Sequence, residues 1–260
     1  MLAFSNLSTG YRQGKAWHYI STALDGALQR GELVALLGRN GCGKSTLLRS
    51  LAALQPVVEG TITIDDASLR NLTLSERARL LAIVLTTKPE ALYLTAHDAV
   101  AIGRTPYTGF MGRLTAHDSQ VIEESLRLTG AEALAPRLLS SLSDGERQRV
   151  MIAKALAQQT PYIFLDEPTA FLDFPGKIAL LQLLQRLAVK KGKGILFSTH
   201  DVELALRLAT TLWLLTPEGL RIGTPAELAS QGVLSTYFEE EGLSFDAATM
   251  AFQLAPSSNV

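Results

Sequence analysis

Gly38-Arg39-Asn40-Gly41-Cys42-Gly43-Lys44-Ser45 is the stretch of sequence that decides the fold. It fits G-x-x-x-x-G-K-[ST], a pattern typical of loops that hold nucleotide phosphates. An unbroken apolar run at residues 33–37 precedes it, and residues 46–54 carry apolar side chains at helical spacing. The sequence therefore predicts a phosphate-binding loop between a buried strand and a helix. A plain glycine-rich turn, the alternative, would not explain this agreement.

The residues of this loop have separate chemical tasks. Glycines let the backbone turn sharply and bring its N–H groups close to phosphate oxygens, and the dipole of the following helix adds to that attraction. Lys44 is expected to bridge the β- and γ-phosphates, and the Ser45 hydroxyl to ligate Mg²⁺. The expected nucleotide-binding residues of this stretch are Gly38, Asn40, Gly41, Cys42, Gly43, Lys44, Ser45 and Thr46.

The composition excludes several classes of protein. A formal charge of −1 over 260 residues and a pI near 6.4 argue against a general binder of nucleic acid or of anionic membranes. The single cysteine, Cys42, lies inside the loop, so no intrachain disulfide can form and a reducing compartment is expected. Because neither a secretory signal nor an apolar run of roughly 18 residues is evident, we expect a cytoplasmic protein that serves a membrane only from outside the bilayer.

The rest of the pattern predicts an α/β fold. Short strand-like runs with turns over residues 2–37 predict an antiparallel layer ahead of the loop. Residues 86–158 change to helical periodicity and predict a helical insert. The apolar runs at 162–165 and 195–199 are separated by a helical stretch, which predicts a parallel sheet covered by helices.

Two local signals mark the C-terminal part. A Pro-Glu-Gly turn at residues 217–219, between two apolar runs, predicts a hairpin at the edge of the sheet. Thr224, followed by Pro225 and Glu227, predicts an N-cap and a capping box for a last helix. The remaining tail, which ends at residues 255–260, is expected to fray.

Aromatic residues upstream of the loop are candidates for contact with a nucleotide base. Tyr11 is the first choice, because an aromatic ring can stack on adenine as rings stack on bases elsewhere. Trp17 and Tyr19 are rivals, although a plain packing role suits each of those two equally well.

Asp166-Glu167, at the end of the apolar run 162–165, is a second anchor for a nucleotide site. An acidic residue at that position can hold Mg²⁺ through its water shell, and this task is assigned to Asp166. Glu167 is expected to polarise the water that attacks the γ-phosphate, as general base or water-orienting group. An ordinary polar strand end is the alternative interpretation.

A second phosphate site is predicted at Leu142-Ser143-Asp144-Gly145-Glu146-Arg147-Gln148. Ser143 and Glu146 have capping-box spacing, so a helix with free N–H groups is expected to begin here. This stretch resembles the signature motif of ATP-binding cassette (ABC) proteins. In that family two cassettes dimerise head to tail, so the resemblance implies that ATP lies between the phosphate loop of one copy and Ser143 and Gly145 of the other.

The resemblance covers nearly the whole chain. It implies a P-loop NTPase (RecA-like) core with a parallel sheet, an N-terminal antiparallel β layer and a helical insert subdomain. One ABC ATPase domain is expected at 1–230, in which 1–85 and 159–230 form the nucleotide-binding core and 86–158 the helical subdomain. Residues 231–260 are expected to form a short C-terminal helix and tail.

The same resemblance assigns further residues. Asp173 matches the carboxylate of the loop that signals across the dimer, and His200 matches the switch histidine that contacts the γ-phosphate. The cofactors it implies are ATP and Mg²⁺, and the chemistry it implies is ATP hydrolysis. The expected catalytic residues are Lys44, Glu167 and His200.

One motif departs from the family. A glutamine normally follows the strand here placed at 82–85 and joins Mg²⁺ to the membrane partner, whereas this chain has Thr86-Thr87-Lys88-Pro89-Glu90. By register the position falls to Thr86, whose hydroxyl could be a weak ligand through water, and Glu90 is a longer-reaching candidate. The expected metal ligands are therefore Ser45, Asp166 and Thr86.

Residues 95–107 are similar to the ATPase subunits of importers for iron-siderophore complexes, haem and cobalamin, in which this segment docks a cytoplasmic helix of the permease. A purely structural helix with a Pro-Tyr turn is the alternative. The resemblance implies a homodimer bound to integral membrane permease subunits and, indirectly, to a substrate-binding protein. We expect it on the inner face of the cell membrane, as a peripheral protein without a nucleic-acid partner.

Two other functions stay open at this stage. One is a soluble cassette ATPase that acts on ribosomes or DNA, although such proteins typically carry two cassettes or a long coiled coil. The other is a small-molecule kinase built on the same phosphate loop, which would leave the signature stretch unexplained.

Overall fold

The computed structural model describes residues 1–14, 16–86, 93–109, 112–239, 243–246 and 249–254. Its strands, in chain order, are β1 (Leu2–Gln13), β2 (Ala16–Leu28), β3 (Leu33–Gly38), β4 (Glu59–Ile64), β5 (Ala67–Ser68), β6 (Leu81–Val84), β7 (Tyr162–Leu165), β8 (Gly194–Ser198), β9 (Thr211–Thr216), β10 (Gly219–Gly223), β11 (Leu243–Asp246) and β12 (Ala251–Leu254). Its α-helices are α1 (Lys44–Leu51), α2 (Leu74–Leu80), α3 (Ala96–Ala101), α4 (Ala116–Leu128), α5 (Asp144–Ala157), α6 (Phe174–Lys191), α7 (Val202–Leu208), α8 (Pro225–Ser230) and α9 (Val233–Glu239).

The N-terminal part forms an antiparallel sheet in the order β2-β1-β4-β5. β1 and β2 make a long hairpin in which Leu2 lies opposite Leu28. The inward-facing side chains Leu2, Phe4 and Leu7 are buried. Their burial against the core explains why this sheet keeps one register, since a slip by one residue would turn its apolar side chains toward water.

A second sheet has the order β10-β9-β3-β8-β7-β6, and all its neighbours are parallel except β10 on β9. Its central strands are apolar along their whole length because helices or the antiparallel layer cover both faces. β3 shows this division clearly. Leu33, Ala35 and Leu37 pack into the cluster that contains α6, whereas Val34 and Leu36 pack into the cluster that contains β1.

The parallel pairing brings three distant stretches of sequence to one edge of the sheet. β3 pairs with β8, and β8 pairs with β7, so the carboxyl ends of the three strands are adjacent. The phosphate loop follows β3, Asp166 follows β7, and Thr199-His200 follows β8. Ligands of open α/β sheets bind at this edge.

Helices α3, α4 and α5 pack around a separate apolar core that includes the fully buried Val100, Ile122 and Val150. Hydroxyl residues start all three helices, Thr95 at α3, Thr115 at α4 and Ser143 at α5, each in a complete capping box. Local signals therefore fix where these helices begin, and the shared core fixes how they pack.

A buried ion pair joins this helical region together. The Arg104 side chain is 3 % exposed, and its Nε donates to Asp118 Oδ1 at 2.8 Å. Its other end donates to the Ala157 carbonyl at 2.8 Å, and its guanidinium lies 4.2 Å from the centre of the Tyr107 ring. Hydrogen bonds from Thr115, followed by that from Arg104, lower the pKa of Asp118 to about 2.

The fold class expected from the sequence is confirmed: a parallel sheet with helices, an antiparallel layer and a helical insert. The hairpin at residues 217–219 and the capping box of Thr224 are present as well. α1 ends earlier than the apolar spacing indicated, at Leu51, and Ala53 has a left-handed backbone with φ 53°. Within the described ranges, no helix is both long enough and apolar enough to cross a membrane.

The expectation of a fraying tail is wrong for residues 243–246 and 249–254, which form the antiparallel hairpin β11–β12. Phe245 is 8 % exposed within the core cluster of the parallel sheet, and its ring centre lies 5.0 Å from that of Phe252. The packing of a few aromatic side chains holds this segment, and their spacing alone gave little signal. Residues 255–260 lie outside the described part.

We expect Asp118→Asn to lower the free energy of unfolding by about 3–5 kcal/mol, because it leaves the Arg104 guanidinium buried without its counter-charge. Urea unfolding at pH 6 measures the change. Asp98→Asn is the matched control, since Asp98 closes the capping box of α3 in the same way but is exposed and lacks a buried arginine. Equal effects of the two substitutions would contradict the importance of the ion pair.

The same carboxylate gives the wild-type protein a pH dependence. Its folded pKa of about 2 lies below the unfolded value of 3.8, so its contribution to stability is complete above pH 4 and is lost as the pH falls toward 2. The stability difference between wild type and Asp118→Asn should therefore shrink over that range.

Candidate nucleotide-binding and catalytic site

The loop between β3 and α1 has a backbone that only glycine fits at several points. Gly43 is the N-cap of α1 with φ 104°, and a Cβ there would lie 2.3 Å from Cγ2 of Ile20. A Cβ at Gly38 would lie 2.5 Å from the Cys42 sulfur. No side chain of the described residues caps α1, so its first N–H groups are available to an anion.

Lys44 is the buried cation of this loop. Its side chain is 6 % exposed, and its Nζ donates to the Gly38 carbonyl at 2.7 Å and to the Arg39 carbonyl at 3.2 Å. These two contacts curl the ammonium group back over the loop. It is therefore held where a phosphate on the N–H groups of α1 would meet a positive charge.

Asp166 is a buried carboxylate, 1 % exposed, that collects three hydroxyl groups. Ser45 donates to its Oδ1 at 2.9 Å and Ser198 to the same oxygen at 2.8 Å. Thr86 donates to Oδ2 at 3.0 Å. The structure thus brings Ser45, Asp166 and Thr86 together, and it adds Ser198, which the sequence analysis missed. Its only signal was a hydroxyl inside an apolar strand.

These groups suit Mg²⁺. Magnesium prefers hard oxygen ligands and usually takes one or two carboxylates, with water and substrate phosphate completing its shell. Within the described residues, no three His, Cys, Asp or Glu side chains converge as a cage for a metal. A cation at Asp166 and Ser45 would therefore depend on phosphate oxygens and water, with Thr86 within reach through a water molecule.

Glu167 and His200 form a close pair beside this cluster. Nε2 of His200 lies 2.6 Å from Oε1 of Glu167, and the two side chains are 45 % and 30 % exposed. The Glu167 N–H donates to the Ser198 hydroxyl at 2.9 Å, and its backbone is left-handed with φ 49°. A non-glycine residue in that conformation is strained, so the fold holds Glu167 against a local preference. The pair places a carboxylate and an imidazole side by side at the rim.

The stretch from Ser143 to Gly145 begins α5 as expected. The Ser143 hydroxyl accepts from the Glu146 N–H at 3.3 Å, and the Ser143 N–H donates to Glu146 Oε2 at 2.8 Å. The hydrogen bond from the Ser143 N–H, followed by one from the Ser143 side chain, lowers the pKa of the Glu146 carboxyl. Gly145 lies close to the loop before α6, where a Cβ would be 3.2 Å from the Phe171 carbonyl.

A groove of about 770 Å³ runs along this helix start. Ser143, Gly145 and Asp173 line it together. Asp173 is also the N-cap of α6, since its Oδ1 accepts from the Gly176 N–H at 3.1 Å. None of the described residues that line this groove also borders the cavities beside the phosphate loop. Among the described residues, the start of α5 and the phosphate loop therefore border separate cavities.

Residues 22–170 match the family model described as ABC transporter. The chain belongs to the ABC transporter family. It is the ATP-binding cassette of that family, an ATPase. An uncharacterized ABC transporter ATP-binding protein of Methanocaldococcus jannaschii is 36% identical over 98% of this chain and 87% of its own length. The achromobactin transport ATP-binding protein of Dickeya dadantii is 37% identical over 86% of this chain and 84% of its own.

Solved structures agree with this assignment of the cassette. A dimeric bacterial ABC transporter cassette has a TM-score of 0.78 at 27% identity, over 86% of this chain and 99% of the other. A structure of an ABC transporter of metal-chelate type in an inward-facing conformation also has a TM-score of 0.78 at 27% identity, over 97% of this chain and 94% of the other.

The candidate base-stacking residues of the cassette lie on neighbouring positions of the β1–β2 hairpin, since Tyr11 pairs with His18, which stands between Trp17 and Tyr19. Tyr11 is 49% exposed, and its ring centre lies 4.9 Å from that of His18. It does not border the cavities beside the phosphate loop, among the described residues. Tyr19 borders one of them together with Cys42, and its hydroxyl donates to Glu59 at 3.3 Å. The choice of Tyr11 for adenine stays a prediction.

Cys42 and Glu90 are the two remaining candidate residues of the site. Burial raises the pKa of the Cys42 thiol, and the nearby Lys44 offsets this only in part. The thiol is therefore protonated and only weakly reactive near neutral pH. Glu90, the longer-reaching alternative to Thr86, lies outside the described residues.

Proposed function

We propose that this cassette hydrolyses ATP between two copies of itself and thereby powers the import of an iron-siderophore, haem or cobalamin-type compound through a separate permease. The observation that carries the proposal is that the two surfaces predicted to contact phosphate, the phosphate loop and the start of α5, border separate cavities of one chain. One chain holds Lys44, Asp166, Glu167 and His200 at one edge and Ser143 on another surface, and each surface suits the same ligand.

Within one site, the protein's own groups divide the work. The N–H groups of α1 and Lys44 hold the β- and γ-phosphates and stabilise their charge during in-line attack. Glu167 accepts the proton of the attacking water, and His200 orients that carboxylate and contacts the γ-phosphate. Mg²⁺, when bound through Ser45 and Asp166, supplies further neutralisation of phosphate charge.

The second copy completes the site in this proposal. Its Ser143 hydroxyl and the N–H groups at the start of its α5 would face the γ-phosphate, and Asp173 would report on the state of the opposite site. A two-fold axis repeats this contact, so both sites of the dimer would be complete together. The similar cassette that was solved as a dimer supports this arrangement.

The assignment to import rests on relatives. Similar proteins are named for siderophore transport in Bacillus subtilis, for iron(3+)-hydroxamate import in the same organism and for cobalamin import in Halobacterium salinarum. We place the cassette on the inner face of the membrane, with residues 95–107 docking the permease. A substrate-binding protein would present the cargo to that permease.

Thr86 takes the glutamine's position in this scheme. Its hydroxyl already donates to Asp166, so a displacement of Thr86 would change the hydrogen bonding of the carboxylate proposed to hold Mg²⁺. A short hydroxyl side chain needs a bridging water to reach the cation, which makes this link looser than a direct amide ligand.

Glu167→Gln is expected to keep ATP affinity and to slow hydrolysis at least about 100-fold, because the amide cannot accept the proton of the attacking water. Phosphate release and ATP binding, measured side by side, test this. Glu203→Gln, on the exposed face of α7, is the control and should match wild type. Unchanged turnover of Glu167→Gln would remove Glu167 from this role.

Mixed dimers test the shared site. Lys44→Ala should weaken nucleotide binding, Gly145→Asp should place a negative charge where the γ-phosphate meets α5, and each should be inactive alone. Random pairing of the two variants gives mixed dimers in half of the population, each with one intact site, so about a quarter of wild-type activity should return. If each chain formed a whole site, mixing would restore nothing.

Isolation of the cassette from the cells that produce it tests which partner it binds. A tagged cassette should be recovered with a polytopic permease, and ATP hydrolysis in that complex should respond to the permease. Recovery with ribosomes or DNA in place of a membrane protein would contradict the transport proposal.

A further inference from the structure

The C-terminal helix α9 reaches the phosphate loop through one side chain. Tyr237 borders a cavity of about 160 Å³ together with Gly38, Asn40 and His200. It also borders a second cavity of about 310 Å³ that Cys42 lines from the loop. Tyr237 therefore lies in the wall of both cavities, beside the loop and beside the proposed switch histidine.

The segment that carries Tyr237 is firmly attached to the rest of the molecule. Leu234, one turn earlier in α9, is fully buried in the core cluster of the parallel sheet. Phe245 of the following hairpin is buried in the same cluster, and Tyr237 and Phe252 pack against it. The burial of Leu234 fixes α9 on the sheet, so Tyr237 presents a fixed surface to the loop.

A fixed neighbour can stabilise the conformation of the phosphate loop, because the glycine-rich backbone of the loop can adopt many conformations by itself. Gly41 and Gly43 have φ values of 79° and 104°, and a Cβ at Gly41 would meet nothing within 4 Å. Arg39 and Asn40, on the solvent side of the loop, are exposed. Glycine-rich backbone has many alternative conformations, and a bulky neighbour reduces their number.

We propose that Tyr237 is a positioning residue for ATP hydrolysis, whose aromatic ring fixes the start of the phosphate loop relative to His200. The inference rests on the proposed function, since it assumes that His200 and Glu167 act on the γ-phosphate held by this loop. Through Tyr237, the C-terminal segment would contribute to the geometry of the nucleotide site. Tyr237 acts through the loop and His200 and does not itself react.

Loss of the Tyr237 ring is expected to change the rate of ATP hydrolysis more than the affinity for ATP. The strongest contacts to ATP are expected from Lys44 and the N–H groups of α1, and Tyr237 borders neither in the two cavities, although it borders Gly38, Asn40 and Cys42 of the loop. Turnover depends on the geometry between the loop and His200. Small displacements of reacting groups cost large factors in rate, so loss of the ring should lower kcat about tenfold and change KM for ATP less than about twofold.

Three variants test this with ATPase kinetics. Tyr237→Ala removes the ring and should show the fall in kcat. Tyr237→Phe keeps the ring and should restore kcat to within about twofold of wild type, because the ring provides the wall. Phe245→Leu is the matched control, since Phe245 belongs to the same packed segment but borders neither cavity, and it should lower stability without lowering kcat.

Cys42 supplies an independent readout, because it is the chain's only cysteine and lines a cavity with Tyr237. Without nucleotide, N-ethylmaleimide should alkylate Cys42 several times faster in Tyr237→Ala, where the opened wall exposes the thiol. The rate should stay at the wild-type value in Tyr237→Phe and in Phe245→Leu.

Wild-type kcat together with a wild-type alkylation rate in Tyr237→Ala would overturn the inference. A loss of kcat that Phe245→Leu reproduces would also overturn it, because it would show general destabilisation. If Tyr237→Ala does not fold, Tyr237→Leu takes its place with the same expectations. Failure of the proposed function would appear elsewhere, as an unaffected Glu167→Gln variant, so the two failures are distinguishable.

Discussion

One buried carboxylate organises the nucleotide edge of this molecule. Asp166 accepts hydrogen bonds from the hydroxyls of Ser45, Thr86 and Ser198, which lie on α1, after β6 and on β8. Burying a carboxylate is costly unless its oxygens are paired, so the folded state favours the arrangement in which these ends meet. The same arrangement places Glu167, the next residue, at the open rim of the sheet.

The chain has two helix starts that suit phosphate, and its fold keeps them apart. α1 begins at the centre of the parallel sheet, whereas α5 begins in the helical insert, against the loop that precedes α6. Apolar clusters hold each region, so a change in side-chain rotamers would not bring the two together. This rigidity supports the proposed dimer, in which a second copy would place one surface opposite the other.

Sequence patterns predicted the turns and helix caps, because these depend on interactions between residues close together in the chain. The capping box of Thr224 and the turn at 217–219 could be predicted because each depends on a few neighbouring residues. The hairpin of β11 and β12 could not, since the burial of Phe245 in the core of the parallel sheet depends on distant packing. Ser198 was missed for the same reason: its partner, Asp166, is 32 residues away in the chain.

The sequence by itself determined the phosphate loop, the strand-ending Asp166-Glu167 pair and the capped start of α5, because glycine spacing, apolar runs and hydroxyl caps act over a few residues. The tertiary structure decided which of these groups meet. It paired Glu167 with His200, gave Thr86 to Asp166 and brought the C-terminal helix to the loop. These contacts join residues far apart in the chain, and parallel strand pairing and core packing, which no short stretch encodes, set them.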